Sequence, residues 1–118
     1  MILLNLPFPP STNTVWRNVN GRTLLSRQGR QFRRDVSAQV LTQYRAEPLS
    51  GRLSVLVYLS PPDRRKRDID NYGSKAILDA LTHAGVWLDD EQIDELVIQR
   101  GERKPGGGCV VRIHEIDV

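Results

Sequence analysis

The run Leu53-Ser54-Val55-Leu56-Val57-Tyr58-Leu59 leaves this chain few conformational choices. It is rich in β-branched and aromatic residues, which pack well on a pleated surface, and Pro48 to Gly51 and Pro61-Pro62 break the pattern on either side. It is far short of the roughly twenty apolar residues that a membrane-spanning helix needs. A strand of this strength must be covered, and a chain of 118 residues hides roughly two-thirds of the surface its unfolded form exposes, enough for one modest core. We therefore expect a single domain over residues 1–118 and no membrane partner.

The other elements arrange themselves around that strand. Ile2 to Leu6 alternates weakly and reads as a short strand, stopped by Pro7-Phe8-Pro9-Pro10; proline cannot feed a ladder, so 7–21 is expected as loop. Asn20-Gly21 signals a turn, with a short strand after it from Arg22 to Leu25. Ser26 caps a helix whose apolar residues Phe32, Val36, Val40, Leu41 and Tyr44 recur at helical spacing. A second helix is predicted over 71–83, burying Ile77, Leu78 and Leu81 and stopped by Ala84-Gly85. Leu96 to Gln99 and Val110 to Ile116 read as two more strands, with Gly106-Gly107-Gly108 as a hairpin turn between them. The predicted class is α+β: a two-layer domain with a mixed β-sheet and two helices on one face.

Charge is distributed unevenly. Residues 1–62 hold eight Lys/Arg against two acids, while 63–118 hold nine against twelve. All but Lys66, Lys75 and Lys104 of the basic residues are arginine, whose planar fork suits phosphate. Arg27, Arg30, Arg33 and Arg34 open the first helix, opposing its dipole by a few tenths of a kcal/mol each, which helix stability alone does not explain. The start of the chain shows no basic leader and no long apolar stretch, and the one cysteine, Cys109, cannot form an intrachain disulfide. Both fit a cytoplasmic protein.

The chemistry concentrates in Asp63-Arg64-Arg65-Lys66-Arg67-Asp68-Ile69-Asp70-Asn71. Four cations run into two aspartates at i and i+2, and in an extended segment that spacing puts both carboxylates on one side. A third acidic group follows the second helix in Trp87-Leu88-Asp89-Asp90-Glu91, with the apolar pair expected as its core anchor. If a strand–helix–loop unit returns Asp90 beside Asp68 and Asp70, the three repel one another unless a cation sits among them. Mg²⁺, which prefers oxygen ligands, resolves that repulsion and activates water against a phosphodiester. Lys75 is placed to neutralise charge on phosphate oxygens, and Arg64, Arg65, Lys66 and Arg67 to hold flanking backbone. Charge and spacing leave a second reading open: a basic loop whose acids only brace it.

The remaining candidates read as structural. Cys109 flanks a strand with no nucleophile pattern around it. His83 sits near a helix end and His114 alone in an alternating strand. Gly106-Gly107-Gly108 lacks the strand-then-helix setting of a phosphate loop. Trp16, Arg17 and Asn18 lie in the long loop before Gly21, where Arg17 on phosphate and Trp16 stacking on a base compete with packing against the sheet.

Three stretches, in order, resemble one family. Leu6-Pro7-Phe8-Pro9-Pro10-Ser11-Thr12-Asn13 is similar to the opening Pro-x-Pro-Pro-Ser-x-Asn of the RusA family of Holliday junction resolvases. Arg67-Asp68-Ile69-Asp70-Asn71 resembles its Arg-Asp-x-Asp-Asn core, and Asp79-Ala80-Leu81 through Gly85 to Asp89-Asp90 its Asp-Ala-Leu…Gly-x-x-x-Asp-Asp block. The resemblance implies a small, homodimeric, Mg²⁺-dependent endonuclease, with Mn²⁺ as a substitute and four-way junction DNA as partner. It implies Asp68, Asp70 and Asp90 as catalytic and metal-binding acids and Lys75 as the active-site lysine. Asn13, Arg17, Asn71 and the 64–67 cations are expected at the DNA, and no small-molecule cofactor is implied. One departure stands: the family lysine follows the second aspartate of the core by four residues, whereas Lys75 follows Asp70 by five. Gly73 is the natural place for a bend that absorbs the extra residue. Recombination and repair of DNA, or processing of branched viral DNA, both suit such a resolvase.

Overall fold

The computed structural model describes residues 1–116; the expected domain's last two positions, 117 and 118, lie outside the described residues. The strongest strand of the sequence is β4 (Leu53–Ser60), and it lies inside a four-stranded sheet of order β1-β6-β4-β5, where β1 is Ile2–Leu6, β5 is Ile93–Arg100 and β6 is Gly108–Glu115. Along β4, Leu53, Val55, Val57 and Leu59 are buried and the alternate residues half-buried. One face of the sheet thus meets the core and the other stays partly open. β4 pairs antiparallel with β6 and parallel with β5.

The predicted two-layer α+β domain is what forms. α2 (Arg27–Gln43) starts at Ser26, whose hydroxyl accepts from the Gly29 amide at 3.0 Å. Its buried stripe is Gly29, Phe32, Val36 and Val40. A methyl on Gly29 would sit 2.5 Å from the Val15 carbonyl, so only glycine allows this helix so close to the preceding segment. Leu41, expected inside, is 70% exposed, because a residue one position past the Val40 stripe lies about 100° around the helix. α4 (Lys75–His83) buries Ala76, Ile77, Ala80 and Leu81 in the same core and ends before Gly85 at φ +84°, while Leu78 is only half-buried.

Three expectations are corrected. Residues 7–21 are not all loop: Thr12–Val15 form one helical turn, α1, and β2 (Trp16–Val19) pairs with β3 (Arg22–Leu25). Asn20 at φ +52° and Gly21 at φ +75° form a two-residue turn with both central residues left-handed, which suits a tight hairpin. The predicted 71–83 helix is two pieces, α3 (Ile69–Tyr72) and α4, broken at Gly73-Ser74. Gly73 is buried against Ile98 and Leu59, and a Cβ there would collide with the Ile98 side chain. Finally, residues 101–107 are not a hairpin. They carry the chain from edge strand β5 past the end of β4, where the Gly101 amide donates to the Leu59 carbonyl and the Lys104 amide to the Pro61 carbonyl, and deliver it to β6.

Because β4 and β5 run parallel, the chain must cross the sheet between them, and one buried polar side chain secures the return. Gln92 donates to the Leu49 and Gly51 carbonyls, both at 2.9 Å, and accepts from the amides of Leu88 and Asp89 at 2.9 and 2.8 Å. Trp87 beside it is buried, with its indole N–H donating to the Thr82 hydroxyl at 2.6 Å. Its expected companion Leu88 is 64% exposed, so Trp87 and Gln92 form the anchor. Replacing Gln92 with Ala strands four backbone groups in a region of low solvent access. Gln92→Ala should lower unfolding free energy by about 2 kcal/mol, read as an earlier urea midpoint with unchanged slope.

Candidate active site

The loop 61–68 leaves the C-terminal end of β4 and turns into α3. Arg64, Arg65 and Lys66 are exposed and form no ion pair among the described residues. Arg67 does not belong with them. Its side chain is 9% exposed and pairs with Asp63, Nη1 to Oδ1 at 2.8 Å and Nη2 to Oδ2 at 3.3 Å. The Arg67 guanidinium and the Arg65 amide hold the Asp63 carboxyl down to about 2.

Asp68 and Asp70 are both exposed, but not on one side of an extended segment as expected. Asp68 has extended backbone angles at the N-cap of α3 and Asp70 lies in its first turn. Aspartate favours both places, because carboxylates at a helix start meet unpaired amides and the positive end of the dipole, so helix wins over strand. Asn71 is half-buried, and its carbonyl accepts from the Thr12 hydroxyl at 2.9 Å. That bond places exposed Asn13 of α1 near the same segment. Arg17 is exposed on β2.

Lys75 is exposed at the first position of α4, and its Nζ lies 5.6 Å from the centroid of the Trp16 ring. The helix break at Gly73-Ser74 falls within the interval between Asp70 and this lysine. Trp16 packs against the core and covers this ammonium.

Asp90 lies elsewhere. Asp89 caps the 3-10 turn Asp90–Gln92 that leads into β5, accepting from the Glu91 amide at 3.0 Å. Asp68 follows Arg67, whose carbonyl accepts from Arg100 at the far end of the same strand at 2.7 Å. Eight residues of strand, roughly 25 Å, lie between these levels. Among the described residues no group of three or more His, Cys, Asp or Glu side chains is close enough to hold a metal ion. The expected convergence of Asp68, Asp70 and Asp90 thus does not occur within one chain. Burial raises the Asp90 carboxyl above its usual range, as do a hydrogen bond with Asp89 and the charges of Asp89 and Asp79. Asp79 itself pairs with Arg33 at 2.6 Å.

Other residues fall as expected or were missed. Cys109 is buried and burial pushes its thiol up to about 12, which makes it inert. His83 and His114 are exposed. Asp79 entered the sequence reading only as the start of a family block, without its Arg33 partner; Gln92 was missed, and the Asp63–Arg67 pair left one trace, an acid four residues before a base.

The family model for Endodeoxyribonuclease RusA matches residues 7–114. The chain is similar to the crossover junction endodeoxyribonuclease RusA of Enterobacteria phage HK97, at 40% identity over 113 residues, 95% of this chain and 92% of the phage protein. It is 35% identical to the proteins of that name from Escherichia coli K12 and from Enterobacteria phage 82, over 96% of this chain and 93% of each relative. The three sequence stretches, the α+β fold and these similarities agree, and the chain belongs to the RusA family of endodeoxyribonucleases and is a nuclease.

Proposed function

We propose that the protein resolves four-way DNA junctions by paired, symmetric nicks, as a homodimer aided by Mg²⁺ or Mn²⁺. The observation that carries this is local: exposed Asp68 and Asp70 at a helix start, with unpaired Arg64, Arg65 and Lys66 before them and Lys75 after them. Cations of this loop, with Arg17, hold the phosphate backbone. Lys75, whose ammonium is covered on one side by Trp16, lies against the reacting phosphate and offsets charge that grows on its oxygens. Water attacks phosphorus, the bond to the 3′ oxygen breaks, that oxygen takes a proton, and a 5′ phosphate remains.

Among the described residues, the carboxylates of a single chain do not form a complete ligand set for a divalent cation, since Asp90 is at the other end of β5 from Asp68. A second copy that places its Asp90 near Asp68 and Asp70 completes the set, and a two-fold dimer suits a substrate needing two matched cuts. The sheet supports such pairing. Its outer face carries Leu3 at 49% and Val97 at 45% exposure, with half-buried Leu56, Tyr58 and Val110 between them. Exposed Arg112 stands between Leu3 and Leu56, and a partly apolar face of this kind suits a partner surface.

Labelled four-way DNA incubated with and without Mg²⁺ or Mn²⁺ should be nicked only with the cation, and flaps or plain duplex cut far less; comparable cutting of those substrates defeats the junction assignment. Asp70→Asn should abolish cleavage yet retain or tighten junction binding, because an anion facing phosphate is removed. Combined Leu3→Asp and Val97→Asp substitutions should give a monomer by light scattering and lose cleavage. Asp90→Asn should abolish cleavage and raise the melting temperature slightly at neutral pH. The sign follows from its raised carboxyl: the penalty for ionised Asp90 is present above its folded pKa and vanishes as pH falls below the ordinary value of 3.8, so the gain should vanish there too.

A further inference from the structure

Four arginines open α2 against the dipole of that helix, and the site described above uses none of them. The structure separates one from the rest. Arg33 is half-buried, and its Nη2 donates to Asp79 at 2.6 Å. Arg27, Arg30 and Arg34 are exposed and form no ion pair among the described residues. At i, i+3 and i+7 they fall within about 60° of one another around the helix, away from the buried stripe of Gly29, Phe32, Val36 and Val40. Asp35, the only acid of α2, lies off this stripe, and its carboxylate accepts from Gln31 at 2.8 Å. The three cations therefore oppose the helix dipole with no carboxylate to offset them.

The stripe is continuous with the surface around Lys75. An open groove of about 500 Å³ runs between the β2–β3 hairpin and α2, lined by Trp16, Thr23, Leu24, Leu25, Arg30 and Arg33. Arg30 Nη1 donates to the Leu25 carbonyl at 2.9 Å, which fixes the guanidinium at the groove and leaves its charge unpaired. Trp16, another wall of the groove, has the Lys75 ammonium 5.6 Å from its ring centroid. A row of cations thus leads from Lys75 past Trp16 to the start of α2. We propose that Arg27, Arg30 and Arg34 form a second phosphate-binding surface, which holds the backbone of a duplex arm leading away from the acidic segment. This rests on the reading that the protein acts on branched DNA, and it adds where an arm lies. Seven residues of helix span about 10 Å, and one strand of B-DNA presents about three phosphates over that axial length. Arginine matches them with its planar fork, and an arriving phosphate offsets the repulsion that the helix start imposes on these side chains.

The test uses the full chain with Arg27→Gln, Arg30→Gln and Arg34→Gln combined, and a second variant with the same three residues changed to Lys. Arg45→Gln, beyond the other end of α2, is the reference for lost charge alone. Affinity for plain duplex and for four-way DNA is measured against salt. The slope of log affinity against log salt should fall by about 2.7 in the triple Gln variant. Between about 50 and 200 mM salt the wild type should then lose about 40-fold more affinity than that variant. The triple Lys variant and Arg45→Gln should keep the wild-type slope. Neutral methylphosphonates walked along one arm should weaken the wild type at positions where the triple Gln variant is indifferent. That variant should melt at or above the wild-type temperature, because the replaced cations opposed the helix dipole. An unchanged slope, a comparable fall with Arg45→Gln, or melting well below the wild type overturns the proposal. Duplex binding reads the stripe whether or not junctions are cut, whereas a wild-type protein that nicks no junction with either cation refutes the functional reading instead.

Discussion

Everything about the acidic groups follows from β4 having one antiparallel and one parallel neighbour. The antiparallel partner β6 demands nothing of the segment between β4 and β5, but the parallel one does. A chain that leaves the top of β4 must return to the bottom before it can run alongside as β5, and it uses α3 and α4 for the descent. The two acidic motifs bracket that descent. Asp68 and Asp70 stand where it begins, and Asp89 and Asp90 where it ends, so topology itself separates them by the length of a strand. A site that needs all of them needs two copies of the chain.

The return loop also shows how concentrated negative charge is tolerated at the foot of β5. Arg52 donates to Asp94 at 2.9 and 2.5 Å, and to Glu91 at 3.1 and 3.2 Å. These pairs are exposed and each contributes little to stability, but together they neutralise two of the neighbouring acids. Asp90 has no such basic partner among the described residues and feels Asp89 and Asp79 instead, which is why its charged form is disfavoured.

Which parts were legible in the sequence depends on whether the deciding interaction was local. Strand β4 announced itself because alternating β-branched residues bounded by prolines allow nothing else, and α2 because Ser26 and the Phe32, Val36, Val40 stripe are local signals. The hairpin β2–β3 was half visible through Asn20-Gly21; β2 was hidden because a strand of four mostly polar residues has too little pattern. The insertion of β6 between β1 and β4, on the side of β4 away from β5, could not be read at all, since strand order is set by non-local hydrogen bonds. For the site, family motifs named Asp68, Asp70, Lys75 and Asp90, but spacing arguments placed the first two on an extended segment and all three acids together. The first error arose because aspartate's preference for a helix start overrode the extended reading, and the second because sequence proximity to a strand end says nothing about which end the chain comes back to.

The same distinction explains why a run of four basic residues is not one structural unit. Position along the chain makes Arg64, Arg65, Lys66 and Arg67 look equivalent. Solvent access divides them, because the chain turns inward after Lys66 to start α3, and the residue at that turn must be either apolar or a satisfied cation. Arginine at 67 meets both demands: its guanidinium lies beside the Phe8 and Tyr72 rings, and two of its nitrogens donate to Asp63. The exposed three have no carboxylate partner among the described residues and lie in the loop that runs into Asp68 and Asp70.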